Sequence, residues 1–570
     1  MLSSRFFSRI FLIASFALIA TSAARGQDDY LTRVGVPPFT TAMPVEHGFI
    51  NLATGDLHIE IPLGSFPQRG GQSYEAKIVY DSSIWTPSSG AWGPNNVAEG
   101  YSGRGGWRLV TSGNSGYVAY DDRPAGSCNI DNQTTNNTFN HFSWTEADGT
   151  VHNFRTQTAW TVTVRYTTAC GTGSWPGAPR DAVSDDGLGY HIFVTAGCLQ
   201  PYCKPSATVY APDGTRVNGG TVRDSNGNFY NNQGAVGTDT LSRTVVSTTG
   251  TTSLLYHDVL NSQGGTSRYA VQTEQIGVNT AFGTTNLEYP GTLSVIQSIT
   301  LPDGASYSFT YDAGTTSGHY GLLTSMTLPT GAVINYGYAN FADAYSRVAR
   351  WVTSRSTSDG TWSYIPQAIP PCNTFSCQQV TVTKPSGDSA IYTFLIFLNG
   401  HGTWPMTVQH YNGSPSPSNL LATLNQCWSF STFTSGVCSA PTTPSPFHVH
   451  KIASTTTVPL PGGTNLNETT QFAWDSTNYG NLVQRSEWNF YSGSLPAVAD
   501  RTASYTYLNT PAYLSANIVN RPTATTLTDR TATPFLKRFT PTTALLLQPS
   551  QGLRTTMTQT TDLRILFVEI

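Results

Sequence analysis

The chain has 570 residues, of which 11% are charged, with 52 Gly, 34 Pro, 28 Tyr and 26 Phe. This mixture favours β-structure with many turns over helices, which would need more Ala, Leu, Glu and Lys. A net charge of −4 with no dense Lys/Arg run leaves no electrostatic footprint for nucleic acid.

The first residues have the form of a secretory signal. Arg5 and Arg9 precede the apolar stretch Ile10 to Ala20, and Thr21 to Ala24 offer a small-residue cleavage site. The stretch is shorter than the ~20 residues a spanning helix needs. Residues 1–24 are therefore expected to be removed. The product is expected to be exported, outside the cell or in its envelope, with no membrane span after cleavage.

Residues 25–205 read as an amino-terminal β region with loop-rich, disulfide-stapled insertions. Leu57, Ile59, Ile61 and Leu63 alternate with polar residues and Pro62, and Tyr74, Ala76, Ile78 and Tyr80 repeat the period, as half-buried strands do. Residues 84–140 look loop-heavy, with Trp85, Trp92 and Trp107 as packing anchors. Trp160, Val162, Val164 and Tyr166 form another alternating strand, and residues 170–205 look irregular but stapled.

From 206 to 410 one unit recurs. Pro302-Asp303-Gly304 is followed five and seven residues past the glycine by Phe309 and Tyr311, Pro329-Thr330-Gly331 by Tyr336 and Tyr338, and Pro385-Ser386-Gly387 by Tyr392 and Phe394. Ala147-Asp148-Gly149 keeps only the first ring, Phe154. A tight turn reverses the chain, and residues two apart then share a strand face. Ile299 to Gly304 aligns with Met326 to Gly331 at a spacing of 27 residues, one hairpin per unit. A lone hairpin is marginal, so such units must stack. The expected fold is all-β: stacked antiparallel hairpins in an elongated, twisted or spiralling sheet. The seven rings are its structural anchors, either packed hairpin to hairpin or exposed as a platform for sugar rings.

Residues 411–450 are rich in Ser, Pro and Thr and read as an insertion. Residues 451–533 return to the repeats, with a short helix near Ala512 to Ile518, and 534–570 form an atypical tail. One permitted codon choice for Phe535 to Thr543, read in a shifted frame, encodes Ser-Glu-Thr-Ile-Tyr-Thr-Tyr-Asp. The hypothesis is a frameshift, and a gene sequence lacking Tyr-x-Tyr-Asp in the shifted frame would refute it.

An even number of cysteines in an exported chain favours disulfides. The eight allow about a hundred pairings. Their order suggests Cys198–Cys203, Cys372–Cys377 and Cys427–Cys438 as local staples, with Cys128–Cys170 closing a longer loop. Zinc at the two C-x4-C pairs is the weaker reading, since they lie far apart and lack the tighter spacing with His.

Other candidate chemistry reads as structural. Gly113-Asn114-Ser115-Gly116, with His141 and Asp121 or Asp122, lacks a nucleophile elbow. Asp258, Glu274 and Glu288 read as surface charge rather than a glycosidase pair. Asp224 to Asn228 resembles half a calcium loop but lacks the bidentate Glu, which favours a β-turn. His448 and His450 are expected to be solvated. No cofactor and no metal is expected.

Several segments resemble exported bacterial Rhs/YD-repeat proteins. Gly48 to Leu57 with Ile61-Pro62-Leu63 and Ser73 to Trp85 resembles their opening. Tyr307 to Asp312 resembles the Tyr-Asp signature, and Phe472 to Asp475 with Tyr479-Gly480-Asn481-Leu482-Val483 resembles the fuller unit. The likeness covers residues 45–530 in scattered blocks. It implies a sheet that spirals into a shell and a non-enzymatic scaffold that encloses or displays another polypeptide at the cell surface, a carboxy-terminal continuation or a partner polypeptide. The repeats here are few and divergent, and the Asp-Pro-x-Gly-like self-cleavage motif of toxin-bearing members is missing from the carboxy-terminal half. The alternatives are a carbohydrate-binding adhesin, with a surface glycan as partner, and a secreted hydrolase.

Overall fold

The computed structural model describes residues 42–538, apart from 68, 70–72, 89, 95–104, 114–115, 128–133, 147–149, 155–161, 166–179, 196–204, 219, 234, 344–345, 373–374, 397–402, 441–447, 478 and 531–533. In parts of some strands, among them 121–127, 134–141, 162–165, 370–372, 375–376 and 534–538, only the backbone is described.

A single 22-stranded ribbon dominates. It runs from Thr221–Arg223 to Pro534–Arg538, and its strands neighbour one another in chain order. The pairing is antiparallel, so the ribbon is a succession of hairpins. Glycine makes the turns possible. Gly304, Gly331 and Gly387 have φ of 88°, 85° and 90°, a region costly for residues with a Cβ. All three turns close with the same two bonds. Leu301, Leu328 and Lys384 N–H donate to the carbonyls of Ala305, Ala332 and Asp388, and each glycine N–H donates back to the first residue's carbonyl.

The aromatics impose a second regularity. Thr310 pairs with Ser325 but Tyr311 with Leu323, so Thr324 bulges from the ladder. The same shift falls at Gly337/Tyr338 and at Thr393/Phe394. A bulge leaves backbone groups without ladder partners, and a ring from a following strand supplies one. Tyr311 Oη donates to Ile296 O, 2.5 Å away, Tyr338 Oη to Leu323 O at 3.0 Å, and Tyr507 Oη to Leu482 O at 2.9 Å. Trp428 and Trp474 use Nε1 in the same way on Pro405 O and Lys451 O, both at 2.8 Å. In all five cases the acceptor is the residue just ahead of a bulge. In these five cases a unit satisfies a carbonyl that the preceding unit exposes.

Two smaller modules precede the ribbon. The first is a five-stranded sheet, Ala42–Val45, Gly48–Asn51, Leu57–Pro67, Ser73–Asp81 and Trp107–Thr111. Its apolar face, with Ile50, Leu57, Ile59, Ile61, Ile78, Tyr80 and Trp107, shares one core with ribbon residues from Tyr230 to Phe394. Five strands are roughly 20–25 Å across, while the dozen or so ribbon strands from Phe229–Gln233 to Ser389–Ile396 would span roughly 60 Å if flat. The ribbon therefore curls around the sheet. The second module joins Phe142, Trp144 and Phe154 to the three-stranded sheet Arg180–Val183, His191–Thr195 and Ser206–Tyr210. It docks on the far end of the ribbon. Val519 N–H donates to Pro212 O, Asp213 bridges to Ile518, and His191 Nδ1 bonds Asn517 Oδ1.

Several expected boundaries move. Ser206–Tyr210 belongs to the second module, because its pairing partner is His191–Thr195. The expected insertion at 411–450 shrinks, since Leu420–Trp428 pairs within the ribbon and the excursion begins at Ser429. The repeats reach past 533, because Pro534–Arg538 pairs with Pro522–Asp529. Residues 84–140 carry strands as well as loops, and the helix is Pro511–Ser515. Residues 1–24, 147–149 and 539–570 lie outside the described residues.

Candidate functional site

The seam between the first module and the ribbon gathers most of the anchor residues. Trp107 packs on Tyr80 at 5.0 Å and on Phe309 at 4.7 Å between ring centroids, and its Nε1 donates to Tyr311 Oη at 2.8 Å. Tyr80 Oη accepts from Leu323 N–H at 3.0 Å. Phe309, Tyr336 and Phe394 are buried in this core, and Tyr311, Tyr338 and Tyr392 pack at its margin. Burial pushes the hydroxyls of Tyr311 and Tyr338 well above their ordinary pKa. Phe154 is also fully buried, but in the second module. The anchors do more than glue hairpins together, because most of them also seat the first module. Phe154, Phe309, Tyr336 and Phe394 are buried and so offer no exposed platform for sugar rings, while Tyr311, Tyr338 and Tyr392 are partly buried.

The hairpin tip Glu46-His47 adds a polar lock. Glu46 forms a bidentate pair with Arg355, whose guanidinium lies 4.2 Å over Trp362, and the His47 ring meets Tyr307 edge-on. Gly55, at φ 76°, passes so close to the Trp351 indole that a Cβ would collide with it. Trp85 and Trp92 act as expected anchors. Trp92 stacks on Phe282 at 3.7 Å, and Trp85 Nε1 donates to Tyr320 O.

Each module also buries a histidine between two carboxylates. His58 bonds Asp81 at 2.6 Å and Glu60 at 3.1 Å, and Arg108 and Lys77 complete the cluster. His152 lies 2.5 Å from Asp186 and 3.5 Å from Glu146, and stacks on Tyr190. Burial opposes protonation of both rings, but the carboxylates outweigh it and raise His58 to about 9 and His152 to about 10. An imidazolium held this way has no lone pair to accept a proton at neutral pH, so each histidine there is an ion-pair partner and not a general base. The only sequence signal for the first cluster is Glu60 two residues from His58 on one strand; in the second, Glu146 and His152 lie six apart on paired strands, and in both the aspartate comes from elsewhere in the chain.

The other candidates find structural partners. Asp224 caps its own turn, taking N–H bonds from Asn226 and Asn228. Asp258 holds Arg268 through two bonds, Glu288 takes Thr280 Oγ1 and Gly283 N–H, and Glu274 stands opposite Val295. Cys427 and Cys438 form a disulfide with Cα atoms 5.5 Å apart, and Cys377 is also disulfide-bonded. Cys128, Cys170, Cys198, Cys203, Ser115 and the side chains of Cys372, His141, Asp121 and Asp122 lie outside the described residues. The expectation of solvated histidines at 448 and 450 is overturned. Both are half-buried, His448 bonding Ser184 O and His450 stacking on Trp474. Among the described residues no group of three or more His, Cys, Asp or Glu is placed to hold a metal ion, and no helix is long and apolar enough to cross a membrane.

No protein-family model matches the sequence, and no curated protein is significantly similar to it.

Proposed function

We propose that the chain is an exported, non-enzymatic scaffold of the Rhs/YD type, whose ribbon encloses or displays another polypeptide. The observation that carries this reading is the curl of the ribbon around the first module, with its far end fastened to the second. A sheet this long, built by one iterated rule, makes a wall rather than a cleft. The Tyr-Asp segment at Tyr311-Asp312 supports the resemblance in its local chemistry. Asp312 accepts the Tyr320 N–H at 3.0 Å and closes the loop that leads to the bulge Tyr338 satisfies. Fold alone does not assign a function, so the partner must be sought directly.

The test is to tag the chain in its source cells, fractionate them, and cross-link before purification. The expected result is export, with a second polypeptide or a continuation cross-linked in near-stoichiometric amount. Retention inside the cell, or an exported chain with nothing bound at that level, would refute the proposal.

A further inference from the structure

The segment His448–His450 lies where the second module meets the ribbon, just ahead of strand Lys451–Pro459. It touches both sides. His448 Nδ1 donates to Ser184 O at 3.1 Å, and Val449 N–H donates to Asp185 O at 3.1 Å. On the ribbon side, the His450 ring stacks on Trp474 at 4.5 Å and 15°, the His450 backbone N–H donates to Ser429 Oγ, and the His450 carbonyl accepts from Ser429 N–H. Val449 is buried beside Trp404, Trp428 and Phe430. Two backbone features serve this contact. His448 itself adopts φ 50°, which is uncommon for a residue with a side chain. Gly187 has φ 72°, and a Cβ there would strike the His450 ring.

We propose that His448–His450 is an acid-released latch, which holds the second module against the ribbon at neutral pH and lets go as the imidazoles take up protons.

The charges around the latch fit such a device. From the module, the buried Asp185, whose carbonyl the latch binds, and Asp186 face it, Asp186 already neutralised by His152, which also engages Glu146. From the ribbon comes Asp475, and on the latch's own strand Lys451 lies over Trp428 at 5.4 Å. A proton on His450 would therefore join His448 and Lys451 in one crowded, half-buried cationic stretch. Burial, with His448 beside it, holds His450 down to about 4, although Asp475 and Asp186 pull the other way; burial also lowers His448. His152 stays protonated and Asp186 ionised through this range, because their shifts run in the opposite directions. The docked histidine thus binds fewer protons than the released one, whose ordinary value is about 6.5. Docking is at full strength above about pH 6.5 and weakens as pH falls toward 4. From His450 alone, the docking constant drops about 20-fold between pH 7 and pH 5. The latch concerns closure of the chain on itself and does not depend on whether a second polypeptide is enclosed.

Hydrogen exchange on the full chain, corrected for the intrinsic pH dependence of amide chemistry, tests it. Peptides covering 184–190 and 448–450 should lose protection by about 20-fold at pH 5 relative to pH 7, while the hairpin 299–311 keeps its own. His450→Phe preserves a stacking ring without a titrating group and should abolish the difference; His450→Gln serves the same purpose if Phe disturbs the fold. Gly187→Ala should loosen the same peptides already at pH 7. Equal protection of the wild-type latch at both pH values, or an undiminished pH effect in the non-titrating variants, would overturn the proposal.

Discussion

At the bulges of the ribbon the polar contacts are neutral: hydroxyls of Tyr311, Tyr338 and Tyr507 and ring N–H groups of Trp428 and Trp474 reach bulge carbonyls. In the two modules ahead of it they are ionic, with His58 between Asp81 and Glu60 and His152 between Asp186 and Glu146. A neutral bond adds about 1 kcal/mol net and desolvates no charge, so it can be repeated without large penalties. A buried ion pair is different. It adds little over an apolar pair, yet losing one member costs about 3–5 kcal/mol. At its bulges the iterated part of the molecule uses the contact that is cheap to copy. The unique parts use the contact that punishes mispairing.

The largest effect should come from cutting the joint between the two regions. Trp107→Ala removes a buried indole from between Tyr80 and Phe309 and leaves Tyr311 without its donor. A loss of about 3–5 kcal/mol is expected, read by urea unfolding with the first module's peptides followed by hydrogen exchange. A change below about 1 kcal/mol would mean that the module does not depend on this seat.

The ionic side is tested by pH. The folded pKa of His58 is raised, so its contribution is complete below about 6.5 and is lost as pH rises toward 9. The contribution of Glu60, lowered to about 2 despite its burial, is lost instead as pH falls below about 4. His58 should thus account for a decline of about 2–3 kcal/mol between pH 6.5 and 9, to which His152, raised to about 10, adds its own, and His58→Gln should remove the first share and leave the second. An unchanged slope in the variant would assign the decline to other groups.

The neutral side should respond least. Tyr338→Phe keeps the ring and removes one donor, leaving Leu323 O without it, for about 1–2 kcal/mol at any pH below the tyrosine range. If this variant cost more than Trp107→Ala, the contrast between the regions would be inverted.

Much of the ribbon was legible in the chain. The Pro-x-Gly turns followed by paired rings name the hairpins, because Gly at positive φ and the two-residue strand period are local properties. The bulges were not legible. Thr324, Thr353 and Met406 share no residue type, and the shift exists only relative to a neighbouring strand. The latch was misread for a related reason. Two histidines in a polar, proline-rich stretch carry no mark of the module, some 260 residues earlier, that covers them.

By itself, then, the order of residues determined that this protein is all-β, where it turns, and which rings share a strand face, since each follows from torsion preference and the strand period along a short stretch. Only the tertiary structure decided what those rings are buried against, how far the ribbon curls, and which histidines are charged. Those outcomes depend on register and on contacts between distant strands, and no local pattern encodes a distance across the fold.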